Sequence, residues 1–370
     1  MREEGAAPRR LLHLLSGLEV GGKERVVLDL ALRARARGLD HRLLLFDTPF
    51  RDAARDFDPG EVPWELLPRG PGLDLAFARA LARRVGELEP DVLHAHNDTA
   101  VVYAALAGLR LGRRSPRLVA TFHSRPPHAT RGARWLTRLA ATRMDAVTAV
   151  AEDLARFLRQ DGWVGRCATL WNGVSLARFT PEGDEDGWRE RLGVAAGGAL
   201  VLHVARLDPV KRQEDLLAAA RRLGPRASFV LVGSGPLGER LRSMAADLEN
   251  VRFVERVEDV APLLRAADVF VLCSDSEGAP RVLLEALACG KPIVASDVGG
   301  CRGLLTGSDG ELCGRLVPAR RPGELAEAIG ELLGDRELRE RLGTRARARA
   351  AEFSDEREWA GYVGVWGGER

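Results

Sequence analysis

Short apolar runs alternate with longer amphipathic segments along most of this chain. The runs predict buried strands, and the segments between them, with apolar residues at helical spacing, predict helices. The predicted strands lie at 10–15, 41–46, 90–96, 117–122, 145–150, 167–171, 200–205, 227–232 and 267–273. Because strands and helices alternate in both halves, the pattern predicts two open parallel sheets with a cleft between them.

Length and composition limit the classes of protein that fit. A chain of 370 residues is too long for one comfortable core, so two domains are expected, with the polar stretch 181–187 as linker. The net charge of +2 gives no argument for nucleic acid. Five cysteines without a C-x-x-C pair predict a reduced, cytoplasmic protein. No signal peptide and no apolar run near 18 residues is found, so no membrane span is expected.

The stretch from Ser274 to Gly300 combines two carboxylates with a turn and an apolar helix. Glu277 falls on the loop after the strand at 267–273, and Pro280 fits the first turn of the helix that follows. Glu285 falls about a turn and a half into the following helix, where apolar neighbours make an unpaired carboxylate costly. The free N–H groups at the helix start predict an anion site between the two glutamates. The plain alternative is a salt-bridged Glu285 and a solvated Glu277.

The segment EGAPRVLLEALACGKPIVASDVGG at 277–300 closely resembles the signature of the retaining family 4 glycosyltransferases. The resemblance extends over nearly the whole chain. It implies an α/β protein with the GT-B fold, in which two Rossmann-like open parallel-sheet domains face each other across a cleft. Residues 1–178 would bind the acceptor and residues 179–353 the nucleotide sugar, with the C-terminal helix 354–370 packing back on the first domain.

The resemblance also implies the donor site. Arg206 and Lys211 match the family's Arg and Lys that hold the donor diphosphate, and two cations there would offset the charge that grows on a departing nucleoside diphosphate. The implied catalytic residues are Glu277, His123, Arg206 and Lys211. The implied donor-binding residues are Gly21, Gly22, Arg206, Lys211, Gly233, Val254, Glu277, Gly278, Ala279, Pro280, Arg281, Val282 and Glu285.

Two features of the N-terminal half bear on ligand binding. The strand 10–15, a glycine-rich loop with Gly21 and Gly22, and the helix 26–37 predict close backbone approach to a ligand, although the loop is not G-x-G-x-x-G. His123 follows the strand 117–122 and matches the family's histidine that faces the donor sugar and acceptor. Without the resemblance it is a hydrogen-bonded loop histidine. Of His94, His96 and His123, only the first two are close in sequence. No H-E-x-x-H motif and no cysteine partner lies near them, so no metal and no cofactor is expected.

The segment TRGARWLTRLAATR at 130–143 predicts a basic amphipathic helix. The first interpretation is that Trp135, Leu136 and Leu139 pack inward while the arginines are solvated. The alternative is a membrane-surface contact, in which the helix docks on anionic lipid to reach a lipid-linked acceptor.

Together these features predict a retaining, metal-independent hexosyltransferase. It would move a hexose-type sugar from a nucleotide-sugar donor to a hydroxyl group of a glycan or lipid-linked acceptor, in cell-envelope or exopolysaccharide synthesis. It would be cytoplasmic or peripheral on the inner face of the membrane. Three alternatives stay open, namely a nucleotide-sugar epimerase, a phosphorylase-like enzyme and a non-catalytic nucleotide-sugar-binding protein of the same fold.

Overall fold

The structure is a computed structural model of the chain. It describes residues 9–18, 21–46, 59–126, 130–185, 187–195, 197–255 and 257–368. The chain forms two compact units, one of residues 1–171 and 358–370 and the other of residues 172–357. The predicted domain boundary, after residue 178, falls a few residues beyond this division.

The N-terminal unit is built on a parallel sheet of seven strands in the order β3-β2-β1-β4-β5-β6-β7. The strands are β1 (Arg10–Leu15), β2 (Asp40–Leu45), β3 (Trp64–Leu66), β4 (Val92–His96), β5 (Arg117–Phe122), β6 (Ala146–Ala149) and β7 (Ala168–Thr169). The helices between them are α1 (Gly22–Ala36), α2 (Leu75–Leu88), α3 (Asp98–Leu111), α4 (Arg131–Ala141) and α5 (Glu152–Gln160). The strand order reverses between β1 and β4, which makes that point the expected place for a ligand.

The C-terminal unit contains a parallel sheet of six strands in the order β10-β9-β8-β11-β12-β13. Its strands are β8 (Ala199–Val204), β9 (Ala227–Val232), β10 (Val251–Val254), β11 (Val269–Leu272), β12 (Ile293–Ser296) and β13 (Arg315–Val317). Its helices are α6 (Trp188–Arg191), α7 (Gln213–Leu223), α8 (Gly238–Met244), α9 (Ala261–Ala266), α10 (Arg281–Ala288), α11 (Gly300–Leu305), α12 (Pro322–Gly334) and α13 (Arg336–Ala350). Here the order reverses between β8 and β11.

The last helix, α14 (Asp355–Gly367), completes the core of the N-terminal unit. From residue 358 onward its residues cluster with that unit. Its buried aromatic residues Trp359, Tyr362 and Trp366 pack with apolar side chains of β1, β4 and β5. Phe353 is buried just before the helix begins.

The orientation of α4 differs from the inward packing that we expect from the sequence. Trp135 is 64% exposed and Leu139 is 50% exposed, while Leu136 is half-buried. The buried side of the helix carries Ala140 and its small neighbours Thr137 and Ala141. Small side chains let α4 lie close to its unit, so the large apolar residues are left at the surface. No helix in the described part of the chain has the length and apolarity needed to cross a bilayer.

Candidate active site

The predicted cations and Glu277 follow two neighbouring strands of the C-terminal sheet. Arg206 follows β8, and the loop carrying Glu277 follows β11, its partner in the sheet. Since both strands are parallel and the strand order reverses between them, their carboxyl ends form the switch point where ligands bind in open α/β sheets. The two loops are tied together by a hydrogen bond from the Asp275 N–H to the Val210 carbonyl, at 2.8 Å.

Lys211 and Glu277 form an ion pair at this edge. The Lys211 ammonium donates to Glu277 Oε1 at 2.6 Å, and the hydroxyl of Ser274 donates to the same oxygen at 2.5 Å. The carboxylate is 8% exposed and the ammonium side chain 22% exposed. In the described part of the chain, Glu277 Oε2 receives no hydrogen bond. One oxygen of the carboxylate is thus fixed by the protein, and the other is left for a ligand.

Arg206 is held by its own turn. Its guanidinium bonds the Asp208 carboxylate at 2.5 Å, while Oδ1 of Asp208 accepts the N–H of Val210 at 3.0 Å. The Asp208 side chain is buried, but the Arg206 side chain is 49% exposed. A bidentate, always charged donor therefore stands at the surface of the site with one edge anchored.

Glycines allow another loop to approach the Arg206 turn closely. A Cβ at Gly233 would lie 2.1 Å from the Ala205 carbonyl oxygen, and one at Gly235 would lie 2.4 Å from that of Leu207. The Leu207 N–H donates to the carbonyl of the intervening Ser234 at 2.8 Å. Packing therefore requires glycine at positions 233 and 235, a reason separate from the predicted role of Gly233 in donor binding.

Gly299 supports Glu277 from the other side. Its φ of +47° and a Cβ position 1.8 Å from the Glu277 carbonyl oxygen exclude any side chain. The next N–H, that of Gly300, points to the same oxygen at 3.4 Å. Gly299 thus fixes the backbone of Glu277, the predicted catalytic and donor-binding residue, a role that the sequence pattern alone did not identify.

The remaining predicted donor-binding residues lie around α10. Pro280 is the N-cap residue rather than part of the first turn, and no side chain caps this end within the described residues. The carbonyl of Ala279 accepts the amide of the buried Asn172 at 2.8 Å. The other members of this group, none of which is fully buried, are Gly278, Arg281, Val282 and Glu285. The helix start thus presents its backbone N–H groups one turn before Glu285.

Val254 and Lys291 have contacts that bear on their roles. The carbonyl of Val254, at the end of β10, accepts the N–H of Gly233 at 3.0 Å. The Lys291 ammonium donates to the carbonyls of Arg265 and Ala267 at the end of α9, at 2.5 and 3.0 Å. Burial lowers the pKa of Lys291. Lys291 is therefore a structural residue, unlike Lys211.

In the N-terminal unit, Gly21 and Gly22 lie at the start of α1. Gly21 is the N-cap residue in extended conformation, and a Cβ at Gly22 would meet open space. The ammonium of the next residue, Lys23, donates to Ser16 at 3.1 Å and pairs with Glu24 at 2.9 Å. The helix therefore starts earlier than predicted, at Gly22 rather than at Val26.

His123 ends a cluster of buried histidines. Its Nε2 lies 3.0 Å from His96 Nδ1, and its backbone N–H donates to the Asn97 side chain at 3.0 Å. Burial, and secondly the charge of Lys23, lower the pKa of His123 to about 3. His123 is therefore a neutral imidazole near pH 7. The sequence pattern places His96 and His123 at the carboxyl ends of their strands, but it did not show that His13 and His41, from other parts of the chain, join them.

Three rings of the cluster, His13, His94 and His96, have nitrogens within 4.8 Å of one another, as a metal site would. Both nitrogens of His94 are already hydrogen-bonded, Nδ1 to the indole N–H of Trp366 at 3.3 Å and Nε2 to the Thr121 hydroxyl at 2.8 Å. An indole N–H can only donate, so His94 Nδ1 is its acceptor. The hydrogen bonds fit neutral rings better than metal ligands.

Comparison with known sequences identifies the family. Residues 20–178 match Glycosyltransferase Family 4 and residues 184–349 match Glycosyl transferases group 1. The putative glycosyltransferase EpsF of Bacillus subtilis is 32% identical over 321 residues, covering 79% of this chain and 80% of EpsF. The chain belongs to the family 4 glycosyltransferases. The family prediction from residues 277–300 is thereby confirmed.

Two further similarities extend this glycosyltransferase assignment. One is to the GDP-mannose-dependent monoacylated alpha-(1-6)-phosphatidylinositol monomannoside mannosyltransferase of Corynebacterium glutamicum, 31% identical and covering 76% of each chain. The other is to the crystal structure of Anabaena HepE in complex with UDP, with a TM-score of 0.80 and 25% identity over 96% of this chain and 97% of HepE. Together with the two parallel-sheet domains, this likeness confirms the predicted GT-B fold.

Proposed function

We propose that this glycosyltransferase moves a hexose-type sugar from a nucleotide-sugar donor to a hydroxyl acceptor with retention of configuration. The observation that carries the proposal is the Lys211–Glu277 pair at the switch point between β8 and β11. It offers an acceptor oxygen for sugar hydroxyls and a cation for phosphate at one place. The complex of HepE with UDP supports a nucleoside diphosphate as part of the donor.

Each predicted donor residue has a role in this proposal. Glu277 Oε2 accepts hydroxyls of the sugar, while Lys211 and Arg206 bind the diphosphate with the start of α10. Glu285 binds the ribose. In the N-terminal unit, the proposed roles are catalytic for His123 and donor-binding for Gly21 and Gly22 at the start of α1.

The reaction breaks the bond between the anomeric carbon and the phosphate oxygen through an oxocarbenium-like state. Arg206 and Lys211 stabilise the negative charge that accumulates on the departing diphosphate. The acceptor hydroxyl attacks from the face that the phosphate leaves, and a phosphate oxygen takes its proton, so the configuration is retained. Two fixed cations serve the role that a metal ion would otherwise have, so the proposed reaction needs no metal and no cofactor.

The exposed face of α4 supports a lipid-linked acceptor. Trp135 and Leu139 are exposed on the same short helix as Arg131, Arg134 and Arg138. Exposed large apolar side chains beside arginines are typical of a helix that lies on an anionic bilayer surface. The mannosyltransferase relative is named for a phosphatidylinositol substrate. We therefore infer a peripheral enzyme of envelope or exopolysaccharide synthesis on the inner membrane face.

A thermal-shift panel of nucleotide sugars tests the donor. It includes UDP- and GDP-linked hexoses, because HepE was crystallised with UDP and the mannosyltransferase relative is named for GDP-mannose. A donor at 100 times its dissociation constant adds about 2.7 kcal/mol to the free energy of unfolding. The matched control is the same panel with Glu277→Ala, for which we expect a smaller shift with the sugar nucleotide and an unchanged shift with the free nucleoside diphosphate.

Incubation of the donor with and without acceptor then separates the functions. Transfer in which the anomeric proton signal keeps the donor's configuration supports the proposal. An isomerised sugar nucleotide without acceptor would indicate an epimerase. Binding with neither transfer nor slow hydrolysis would indicate a non-catalytic protein, and absence of any shift across the panel would contradict the donor assignment. EDTA should leave the rate of transfer unchanged.

A further inference from the structure

Four buried histidines form one hydrogen-bonded row across the N-terminal sheet. His41 Nδ1 lies 3.1 Å from His13 Nε2, and His13 Nδ1 lies 3.0 Å from His96 Nε2. His96 Nδ1 lies 3.0 Å from His123 Nε2. The row begins on β2, crosses β1 and β4 and ends just after β5. We refer to these four residues as the histidine row.

His94, beside the row, belongs to a separate chain of hydrogen bonds with a fixed direction. Trp366 donates to His94, whose Nε2 lies 2.8 Å from the Thr121 hydroxyl. The Thr121 and Thr148 hydroxyls are 2.7 Å apart, and that of Thr148 donates to a backbone carbonyl at 3.3 Å. Because the indole can only donate, every later bond is determined, and neutral His94 carries its proton on Nε2.

The rings of the histidine row are neutral near pH 7. Burial lowers the pKa of His41 to about 4 and that of His123 to about 3. It lowers the pKa values of His13 and His96 well below the ordinary value, and neighbouring histidines add to the effect. Each ring therefore carries one proton, on one of its two nitrogens.

Counting protons leaves two arrangements for the whole row. Each of the three contacts needs exactly one proton, since two N–H groups would clash and two lone pairs would repel each other. If one ring donates through Nδ1, its neighbour must do the same, and so on along the row. Either all four rings carry the proton on Nδ1 or all four carry it on Nε2. The fourth proton then sits at one end, on His123 Nδ1 or on His41 Nε2.

The two ends differ in their surroundings. His41 Nε2 is buried without a hydrogen-bond partner, beside the rings of Trp359 and Trp366. His123 lies at the carboxyl edge of the sheet, and its Nδ1 has no partner among the described residues. An N–H buried without an acceptor is costly and rare, whereas one at the edge can reach water or a ligand. The arrangement with protons on Nδ1 is therefore favoured.

We propose that His41, His13 and His96 are positioning residues that fix the proton of His123 on Nδ1, so that His123 donates a hydrogen bond to an oxygen atom of the bound sugar or acceptor. The inference rests on the proposed function for the identity of the ligand, but not for the proton positions. It assigns His123 as a neutral donor and excludes it as the base that removes the acceptor proton. That proton then goes to the departing phosphate.

Nitrogen-15 NMR of the full chain with labelled histidine tests the proton positions. The chain has seven histidines, and each signal is assigned by the single His→Gln variant that removes it. Long-range proton–nitrogen correlations at pH 7.5 report which ring nitrogen is protonated. We expect Nδ1 to be protonated in all four rings of the row and Nε2 in His94, which serves as an internal control of the opposite type. A protonated Nε2 or a charged ring at His123 would overturn the proposal.

Two variants test whether the Nδ1–H group of His123 donates a hydrogen bond during transfer. The amide of His123→Asn can supply an N–H near the Nδ1 position, and His123→Leu cannot. We expect His123→Leu to lower kcat/KM for transfer on the order of 10- to 100-fold and His123→Asn to recover most of that loss. Equal losses in two folded variants would count against donation. If no nucleotide sugar is turned over, the proposed function fails, but the NMR result still determines the proton positions. The wild-type spectrum determines them even if a variant does not fold.

Discussion

The Lys211 ammonium lies 2.6 Å from Oε1 of Glu277, and this contact joins the turn after β8 to the loop after β11. Each charge is the main partner of the other in a site that is largely withdrawn from solvent. A ligand that brings both phosphate and hydroxyl groups can use this pair without separating it. An ammonium has three N–H donors, and the carboxylate keeps a second oxygen.

Substitution of Glu277 or Arg206 should impair transfer more than folding. We expect Glu277→Ala and Arg206→Ala each to cost about 2 to 4 kcal/mol in the barrier, since each removes a charged hydrogen-bond partner of the reacting groups. The measurement is kcat/KM with the donor found in the thermal-shift panel. Arg345→Ala, which breaks an exposed ion pair with Asp309, is the control and should retain full activity. Near-full activity in both site variants would contradict the proposed roles of Glu277 and Arg206 in transfer.

Two lysines of the C-terminal unit should behave in opposite ways. Lys291→Met leaves two carbonyls at the end of α9 without their donor, so we expect a loss of about 1 to 3 kcal/mol in unfolding free energy with transfer retained. Lys211→Met should reduce transfer at least tenfold with a smaller change in stability. Chemical denaturation and steady-state kinetics on both variants provide the comparison. The reverse pattern would mean that Lys291 acts in transfer and that Lys211 mainly stabilises the fold.

Gly299→Ala should disturb Glu277 through the backbone. A methyl group there would overlap the Glu277 carbonyl oxygen, and the positive φ adds strain. Gly310→Ala is the matched control, because Gly310 also has a positive φ, +82°, but open space around its Cβ position. We expect both variants to lose some stability and only Gly299→Ala to lose transfer activity as well. Equal kinetic effects would show that strain alone, and not the contact, matters.

The buried histidines should make the N-terminal unit sensitive to acid. Their folded pKa values lie below the ordinary 6.5, at about 4 for His41 and about 3 for His123, so only the unfolded chain takes up protons as the pH falls from 6.5. Unfolding free energy therefore decreases from pH 6.5 downward, by about 2 kcal/mol per ring at pH 5. Burial also lowers the pKa values of His13, His94 and His96 well below the ordinary value, so these rings add to the loss in the same direction.

Tryptophan fluorescence can follow this loss in one unit. Of the seven tryptophans, only Trp188 lies in the C-terminal unit. In Trp188→Phe the fluorescence therefore reports the N-terminal unit alone, and urea midpoints at pH 7, 6 and 5 should fall steeply. Midpoints that stay constant over this range, in which few carboxylates titrate, would contradict the buried neutral histidines.

The α4 face should bind anionic vesicles. We expect flotation with phosphatidylglycerol-containing liposomes but not with neutral ones, and weaker binding at high salt, because each arginine near the surface contributes about 1 kcal/mol. Trp135→Ser combined with Leu139→Ser should abolish binding without loss of stability. Leu75→Ser, at an exposed leucine of α2, is the control. Equal flotation with neutral and anionic vesicles would remove the membrane contact from the proposal.

The sequence predicted most of the architecture because local patterns determine it. The apolar run before Ser274 was correctly predicted as a buried strand, and the apolar spacing after Pro280 correctly indicated the helix α10, although Pro280 precedes its first turn. The family signature then brought Arg206, Lys211 and Glu277 into one proposal. The structure joins Lys211 and Glu277 directly, while the contacts that Arg206 makes are within its own turn.

Features that depend on contacts between distant segments could not be predicted in this way. The periodicity of α4 gave an apolar face, but it could not show that Ala140 and Thr137, not Trp135, meet the neighbouring structure. The histidine row combines rings from four strands or strand ends, and its spacing appears only once the strands are in register. His13 and His96, for example, are hydrogen-bonded although they are 83 positions apart in the sequence.

The packing of α14 also bears on when the enzyme can fold during its synthesis. Tyr362 and Trp366 fill the core between β1, β4 and β5, yet the ribosome adds them only after the whole of the C-terminal unit. The C-terminal unit ends at residue 357 and therefore has all its parts earlier. The half of the chain that emerges first is thus the half that is completed last, and truncation of the final turns would leave its sheet uncovered.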